Sequence, residues 1–364
     1  MPITSSWIPG LLVLTLLTQS CESDPDKGEI KAVRSVYFPA AGCDNGEAVP
    51  NFMMPTQGGA VAKCVGSQTA DTLPTNRAAK ISVDPSLTVE IGTVVVRGLS
   101  KEQVVLAADS RATYVGLDGR FNRVQDDACK MAELRPDLLF AVTDMARTAA
   151  ALPANLYYDA FDVAKEAVAN FQFDPDLMQP NTTIKEIAER WAWDVAFRIR
   201  RGVNTGIYRP SRAGMWVRGI FAGLEPNGEI STAVAELSYQ LPPSGMTAPV
   251  VSISIIQDST ENNTTLIDSY GRGAVAERYV SKKGTGESRT EHMRIRKAQL
   301  TDPRKFPAEI TERLVKLTEE EEAPAWPNGV RAVGGEVDYA RLRRGGKVEW
   351  LHRKANCSPA TASQ

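Results

Sequence analysis

Apolar positions along this chain fall into two regimes. Across residues 21–85 no two-residue or 3.6-residue period is sustained, and Gly, Pro, Ser, Thr, Asn and Asp recur, so the stretch reads as loop, linker or pro-segment. Periodic patterning begins after it. Residues 87–97 and 103–108 are short, apolar and rich in β-branched side chains, which predicts two buried strands joined by a turn over residues 98–102. A second strand pair follows at residues 128–134 and 138–143, turning through Arg135, Pro136 and Asp137.

The period then lengthens. Residues 146–171 and 182–201 read as two amphipathic helices separated by Asp174, Pro175 and Pro180. In the second, Ile184, Ile187, Trp191, Val195 and Ile199 form a core-facing stripe, with Lys185, Glu189, Arg190 and Arg198 between them. Strand patterning resumes at residues 215–222, 231–237 and 250–256, with Glu225, Pro226, Asn227 and Gly228 as a hairpin turn. Helical stretches at 274–280 and 307–321 come next. The chain closes on a strand pair, residues 336–342 and 348–352, across Gly345 and Gly346. This order suits two packed sheets covered by helices on both outer faces, an α/β four-layer αββα sandwich.

The first twenty residues add an expectation about destination. The apolar run 7–17, interrupted by Pro9 and Gly10, is too short to cross a bilayer and fits the core of a signal peptide, although no Lys or Arg precedes it. Export is therefore expected, to the periplasm, the outside or a lipid anchor. Cys21 follows Leu17 and a small Ser20 as a bacterial lipoprotein acceptor does, with Gln19 departing from that pattern. A lipid on Cys21 is the one membrane attachment expected. The chain divides into a signal peptide (1–20), a pro-segment or linker (21–92), one domain (93–353) and a tail (354–364).

Composition narrows the chemistry. With 43% hydrophobic and 24% charged residues the chain has ordinary globular composition. Its 42 basic and 44 acidic residues leave a net charge of -2, so no overall field draws it to nucleic acid. Arg341, Arg343, Arg344 and Lys347 surround a hairpin turn and read as its solvated tip, so no nucleic-acid partner is expected. Two histidines, His292 and His352, argue against a His-centred triad or a multi-His metal site, and no C-x-x-C spacing occurs. No metal or organic cofactor is expected. Of five cysteines, Cys43 and Cys64 share one polar stretch and either pair after export or stay free; Cys129 and Cys357 complete the set beside Cys21.

One motif carries chemistry. Gly92-Thr93-Val94-Val95-Val96, followed by Val104-Val105-Leu106-Ala107-Ala108-Asp109-Ser110-Arg111-Ala112-Thr113, resembles the start of a mature proteasome β-type subunit, an N-terminal-nucleophile hydrolase. The interval from Thr93 to Asp109 matches that family without a gap. Lys130, reached through an insertion around residues 116–125, falls where the family keeps its active-site lysine. Residues 219–225 resemble the strand after the family's second helix, and residues 333–338 its late Gly-Gly turn. The resemblance spans roughly 260 residues.

What it implies can be derived. A threonine at a freed chain terminus carries its own base, since an α-amine titrating near ~7.7 can take the hydroxyl proton. Thr93 would be nucleophile and base, Lys130 the cation that eases formation of the alkoxide, and Asp109 the carboxylate that holds Lys130. Arg111 would brace the strand end. The Gly92 to Thr93 bond would be cut autocatalytically, Gly92 permitting the strained turn. Asp144 stands where the family has its oxyanion-hole glycine, Arg272 where a serine touches the amine, with Ser269 nearby. Val330 and Val333 stand at the late Asp and Ser, with Asn328 close by. These departures leave two outcomes open, a rebuilt amine-holding shell or an inactive site.

The expected function is thus a self-processing threonine-type amidohydrolase or peptidase acting on peptides or small amides. Ring assembly in the family implies self-association. The alternative is an inactive binding or assembly module, or a lipoprotein whose role is anchoring.

Overall fold

The apolar run that opens the periodic part of the chain is broken in two at Gly92 and Thr93 in the computed structural model, and its halves join different sheets. The structure describes residues 88–116, 121–148, 158–173, 182–204, 214–240, 250–259, 264–281, 289–325 and 329–357. The expected signal peptide, Cys21, Cys43, Cys64, Asn328 and most of the expected pro-segment and tail lie outside them.

Strand β1 (Thr88–Ile91) pairs antiparallel with β4 (Ala112–Gly116) and β8 (Arg147–Thr148), and β4 pairs with β5 (Phe121–Gln125). Those four strands make one sheet, in the order β5-β4-β1-β8. Strand β2 (Val94–Leu99) instead pairs with β3 (Gln103–Ala108) in a sheet that also holds β12 (Leu266–Gly271), β13 (Asp338–Arg343) and β14 (Val348–His352), ordered β12-β2-β3-β13-β14. The third sheet runs β11-β10-β9-β7-β6. It consists of β6 (Met131–Arg135), β7 (Leu138–Asp144), β9 (Gly214–Leu224), β10 (Ile230–Gln240) and β11 (Val250–Asp258).

Five helices are present among the described residues: α1 (Ala160–Phe173), α2 (Ile184–Asn204), α3 (Ala274–Val280), α4 (Arg289–Gln299) and α5 (Glu309–Glu321). Strand alternation places their partners. Val94 and Val96 of β2 face an apolar cluster with Tyr279, Ile295, Leu314 and Val315, whereas Val95 and Leu99 face Met131, Leu139, Ile220 and Val234 of the other five-stranded sheet. Helices α1 and α2 cover that sheet's other face through Phe161, Val163, Ile187, Trp191 and Val195. Trp191 fits because residue 219 is glycine, where an added Cβ would sit 2.6 Å from the indole ring. Its Nε1 donates to the Ala160 carbonyl at 3.0 Å, joining α2 to the start of α1.

The architecture corrects the expected αββα sandwich of four layers. Three antiparallel sheets with five helices form a β-rich fold, and the β5-β4-β1-β8 sheet has no place in that scheme. Its strands were hard to read in advance. In β5 four of five residues are exposed, so no apolar face marks it, and it lies in what resembled an insertion, while β4 begins with the Ala112-Thr113 end of the motif. The expected helix from residue 146 is also corrected, since Arg147 and Thr148 form β8 and α1 begins at Ala160. Strand β12 and helix α4 were not foreseen; α4 buries Ile295 and Ala298 beneath an otherwise charged sequence.

Candidate functional site

Thr93 sits at the crossing from one sheet to another. Gly92 has φ 91° and Thr93 φ 132°, a left-sided backbone that L residues rarely take and that a β-branched residue takes only under constraint. The constraint is visible on both sides. An added Cβ on Gly92 would meet the Ala332 carbonyl at 3.1 Å, and one on Gly271 would meet the Thr93 carbonyl at 2.2 Å. That carbonyl accepts the Arg272 N–H at 3.0 Å. Thr93 is 1% exposed, and its Oγ1 is buried without a hydrogen-bond partner. An unsatisfied buried hydroxyl costs roughly 1–3 kcal/mol, so strain and polarity are both held at one residue.

Asp109 follows the end of β3, where antiparallel pairing returns the chain to the start of β2. Its Oδ1 accepts the Val94 N–H (3.0 Å), and its Oδ2 accepts those of Gly334 (3.1 Å) and Arg111 (3.3 Å). The group is 1% exposed, and burial pushes its carboxyl up to about 7, against the pull of the Lys130 ammonium and the three N–H donors. Lys130, just before β6, is fully buried; its carbonyl accepts the Val142 N–H at 3.3 Å. The fold therefore gathers Thr93, Asp109 and Lys130 in one dry region, with a charge interaction between the last two.

The other expected positions have other commitments. Arg111 makes a two-pronged pair with Asp126 through Nε (2.5 Å) and Nη2 (2.9 Å), and its Nη1 donates to the Val333 carbonyl. Ser269 Oγ donates to the Gly273 carbonyl at 3.0 Å. Arg272 directs its side chain to Glu322 at 4.0 Å, and Val333 is buried in the apolar cluster under α5. Val330 receives the Ala325 N–H. Asp144 has φ 66°, and its Oδ2 accepts the Thr143 hydroxyl at 2.9 Å. Burial raises its carboxyl above the usual carboxylate range, opposed by that bond and by Arg218 and Arg272.

Sequence reasoning missed the far end of the chain. Asp338, Lys354 and Cys357 converge on the loop before Lys130, and Cys129 is disulfide-bonded to Cys357 across 228 residues of sequence. The available signal was that Cys129 lies in a predicted strand of the domain and Cys357 follows its last predicted strand by five residues. Among the described residues no group of three or more His, Cys, Asp or Glu side chains is placed to hold a metal. Among the same residues no helix is long and apolar enough to cross a membrane. The chain matches no family model and no curated protein.

Proposed function

We propose that this protein is a self-processing threonine-type amidohydrolase or peptidase that cuts its own Gly92 to Thr93 bond and then uses Thr93 as nucleophile and base. The observation that carries the reading is Thr93 itself: positive φ, a buried hydroxyl without a partner, and a fully buried Lys130 coupled to Asp109 beside it. Strain stored at a peptide bond is released when that bond breaks. In the cut, Thr93 Oγ bonds to the Gly92 carbonyl carbon, the C–N bond breaks and the hydroxyl proton passes to the Thr93 nitrogen. Water then hydrolyses the ester, leaving the Gly92 carboxyl and a free Thr93 amine.

With that amine free, a peptide or small amide follows the same course. The amine takes the hydroxyl proton, Oγ attacks the substrate carbonyl, and the proton returns to the leaving nitrogen before water releases the acyl group. Lys130 stabilises the alkoxide that forms on Thr93, and ionised Asp109 keeps Lys130 in place. Residues matching the resemblance to proteasome β-type subunits supply this trio, and the reading stands on their chemistry.

A second reading, an inactive binding module, is favoured by one observation. The positions expected to hold the amine are occupied by Arg272, which turns to Glu322, and by Val333, which is packed in a core. Intact mass and N-terminal sequencing of wild type beside Thr93→Ala decide between them. A wild type that begins at Thr93, with the variant still carrying the residues ahead of it, supports the hydrolase. An uncut bond in both after full maturation overturns it.

A further inference from the structure

The last described residues return to the loop that carries Lys130 and hold it at three consecutive positions. Asn356 Nδ2 donates to the Asp127 carbonyl (2.8 Å), Lys354 Nζ donates to the Ala128 carbonyl (2.9 Å), and Cys357 is bonded to Cys129. Lys354 is 5% exposed. Its ammonium lies 2.8 Å from Asp338 Oδ2, and its backbone N–H donates to Asp338 Oδ1, also at 2.8 Å. Asp338 stands opposite Ala108 in the β13–β3 register, beside the strand end that leads into Asp109. One buried carboxylate therefore links the Asp109 strand to the Lys130 loop.

That link is costly in solvation terms. Removing an ammonium and a carboxylate from water costs several kcal/mol per ion, and apolar residues of the same volume often do as well for stability. What a buried pair supplies in exchange is a fixed geometry. Without residues 354–357 the loop keeps the bond from the Ala128 N–H to the Ser110 carbonyl and the one from Ser110 Oγ to the Asp126 carbonyl. Neither reaches Cys129; on its far side the Lys130 carbonyl accepts the Val142 N–H at 3.3 Å, so residues 354–357 fasten the incoming side of Lys130, and slack there moves its ammonium relative to Asp109.

We propose that residues 354–357 are the positioning element for Lys130, and that the Cys129–Cys357 bond makes the Lys130–Asp109 pair depend on an oxidising environment. The catalytic meaning of this rests on the function proposed above; the structural claim does not. A dithiol that delivers two electrons and two protons converts the bond to two thiols and closes to its own cyclic disulfide. The loop is then left with its hydrogen bonds to Lys354 and Asn356.

The test is pulse labelling of lysines with a small amine-reactive acylating reagent, read by peptide mass, on oxidised protein, on protein reduced with dithiothreitol, and on Lys354→Met and Lys354→Arg with the disulfide intact. Amide exchange of β9 and β10 reports whether the fold persists. Lys130 should be protected in the oxidised protein and labelled about ten-fold faster or more after reduction and in Lys354→Met, with protection restored in Lys354→Arg. Unchanged labelling of Lys130 once mass shows the bond open, with β9 and β10 still protected, overturns the proposal. Should reduction also unprotect β9 and β10, oxidised Lys354→Met decides: faster labelling of Lys130 supports the proposal, and unchanged labelling overturns it. Cleavage at Gly92 to Thr93 is followed in the same samples. Full cleavage with Lys130 exposed overturns the positioning role, whereas no cleavage in oxidised wild type refutes self-processing and leaves the labelling result to stand on its own.

Discussion

Two charge clusters are buried along β2, three residues apart, and they are built to opposite ends. Val94 gives its N–H to Asp109, while Arg97 projects between the two five-stranded sheets. Arg97 meets Asp258 of β11 at 2.7 Å, Asp268 of its neighbour β12, the Thr232 hydroxyl of β10 and the face of Tyr270. Burial opposes its charge, yet Tyr270, Asp268 and Asp258 outweigh burial and hold the guanidinium above even the ordinary arginine range. At Asp109 burial wins instead, and the carboxyl is left near neutrality beside a hydroxyl with no partner. A cluster that serves structure is surrounded until its charge cannot change. One suited to chemistry retains a proton that can move and an oxygen that is not yet bonded.

Substitutions can break this contrast, beginning with the largest effect. Thr93→Val keeps the shape and removes the hydroxyl. Cleavage should vanish while stability in urea stays level or rises by about 1 kcal/mol, because a buried unpaired group is gone. A loss of stability would mean that the hydroxyl is as firmly bonded as Arg97. Arg97→Met leaves two carboxylates facing each other and should cost about 3 kcal/mol in urea denaturation. Adding Asp258→Asn and Asp268→Asn should recover part of that loss.

The proton at Asp109 gives a pH test. Its folded value near 7 exceeds the ordinary 3.8, so between those values the folded state holds a proton that the unfolded chain has released. Stability from this group is therefore greatest below about pH 4 and is lost as pH rises toward 7. Thermal unfolding of wild type and Asp109→Asn across that window should show the variant gaining relative to wild type with rising pH. Cleavage should move the other way, slowing below pH 7 as Asp109 takes its proton and lets go of Lys130. The smallest effect belongs to Arg111, whose partner Asp126 is half exposed: Arg111→Gln should cost at most about 1 kcal/mol, and less in high salt.

The legible parts of this chain were those in which local pattern and tertiary pairing agree. Strands β2 and β3, β6 and β7, β9 and β10, and β13 and β14 are neighbours in sequence, joined by short turns that contain Gly, Pro, Asn or Asp in all but the first, and each pair is hydrogen-bonded in the fold. Helix α2 showed its stripe, and Trp191 lies in the core where that stripe pointed. Strand β12 was hidden because its partner β2 is about 170 residues away and its six residues have no regular alternation. The break at Gly92 was hidden as well, since the run 87–97 is uniform in character, and only the pairing of Ile91 with Thr113 shows that the chain changes sheets there. At the site, the motif brought Thr93, Asp109 and Lys130 forward together. Asp338 and Lys354 carry no motif, and they reach the Asp109 strand and the Lys130 loop through contacts more than 200 residues long.

The bond between Cys129 and Cys357 also changes what kind of object the chain is. It closes residues 129–357 into a covalent ring that holds β6 to β14 and all of α1 to α5. In the chain-entropy account a ring of that size narrows the unfolded ensemble by about 5 kcal/mol at room temperature. The peptide bond between Gly92 and Thr93 lies outside the ring. Severing it leaves the ring whole, so a backbone cut at this strained point gives up none of that topological restraint.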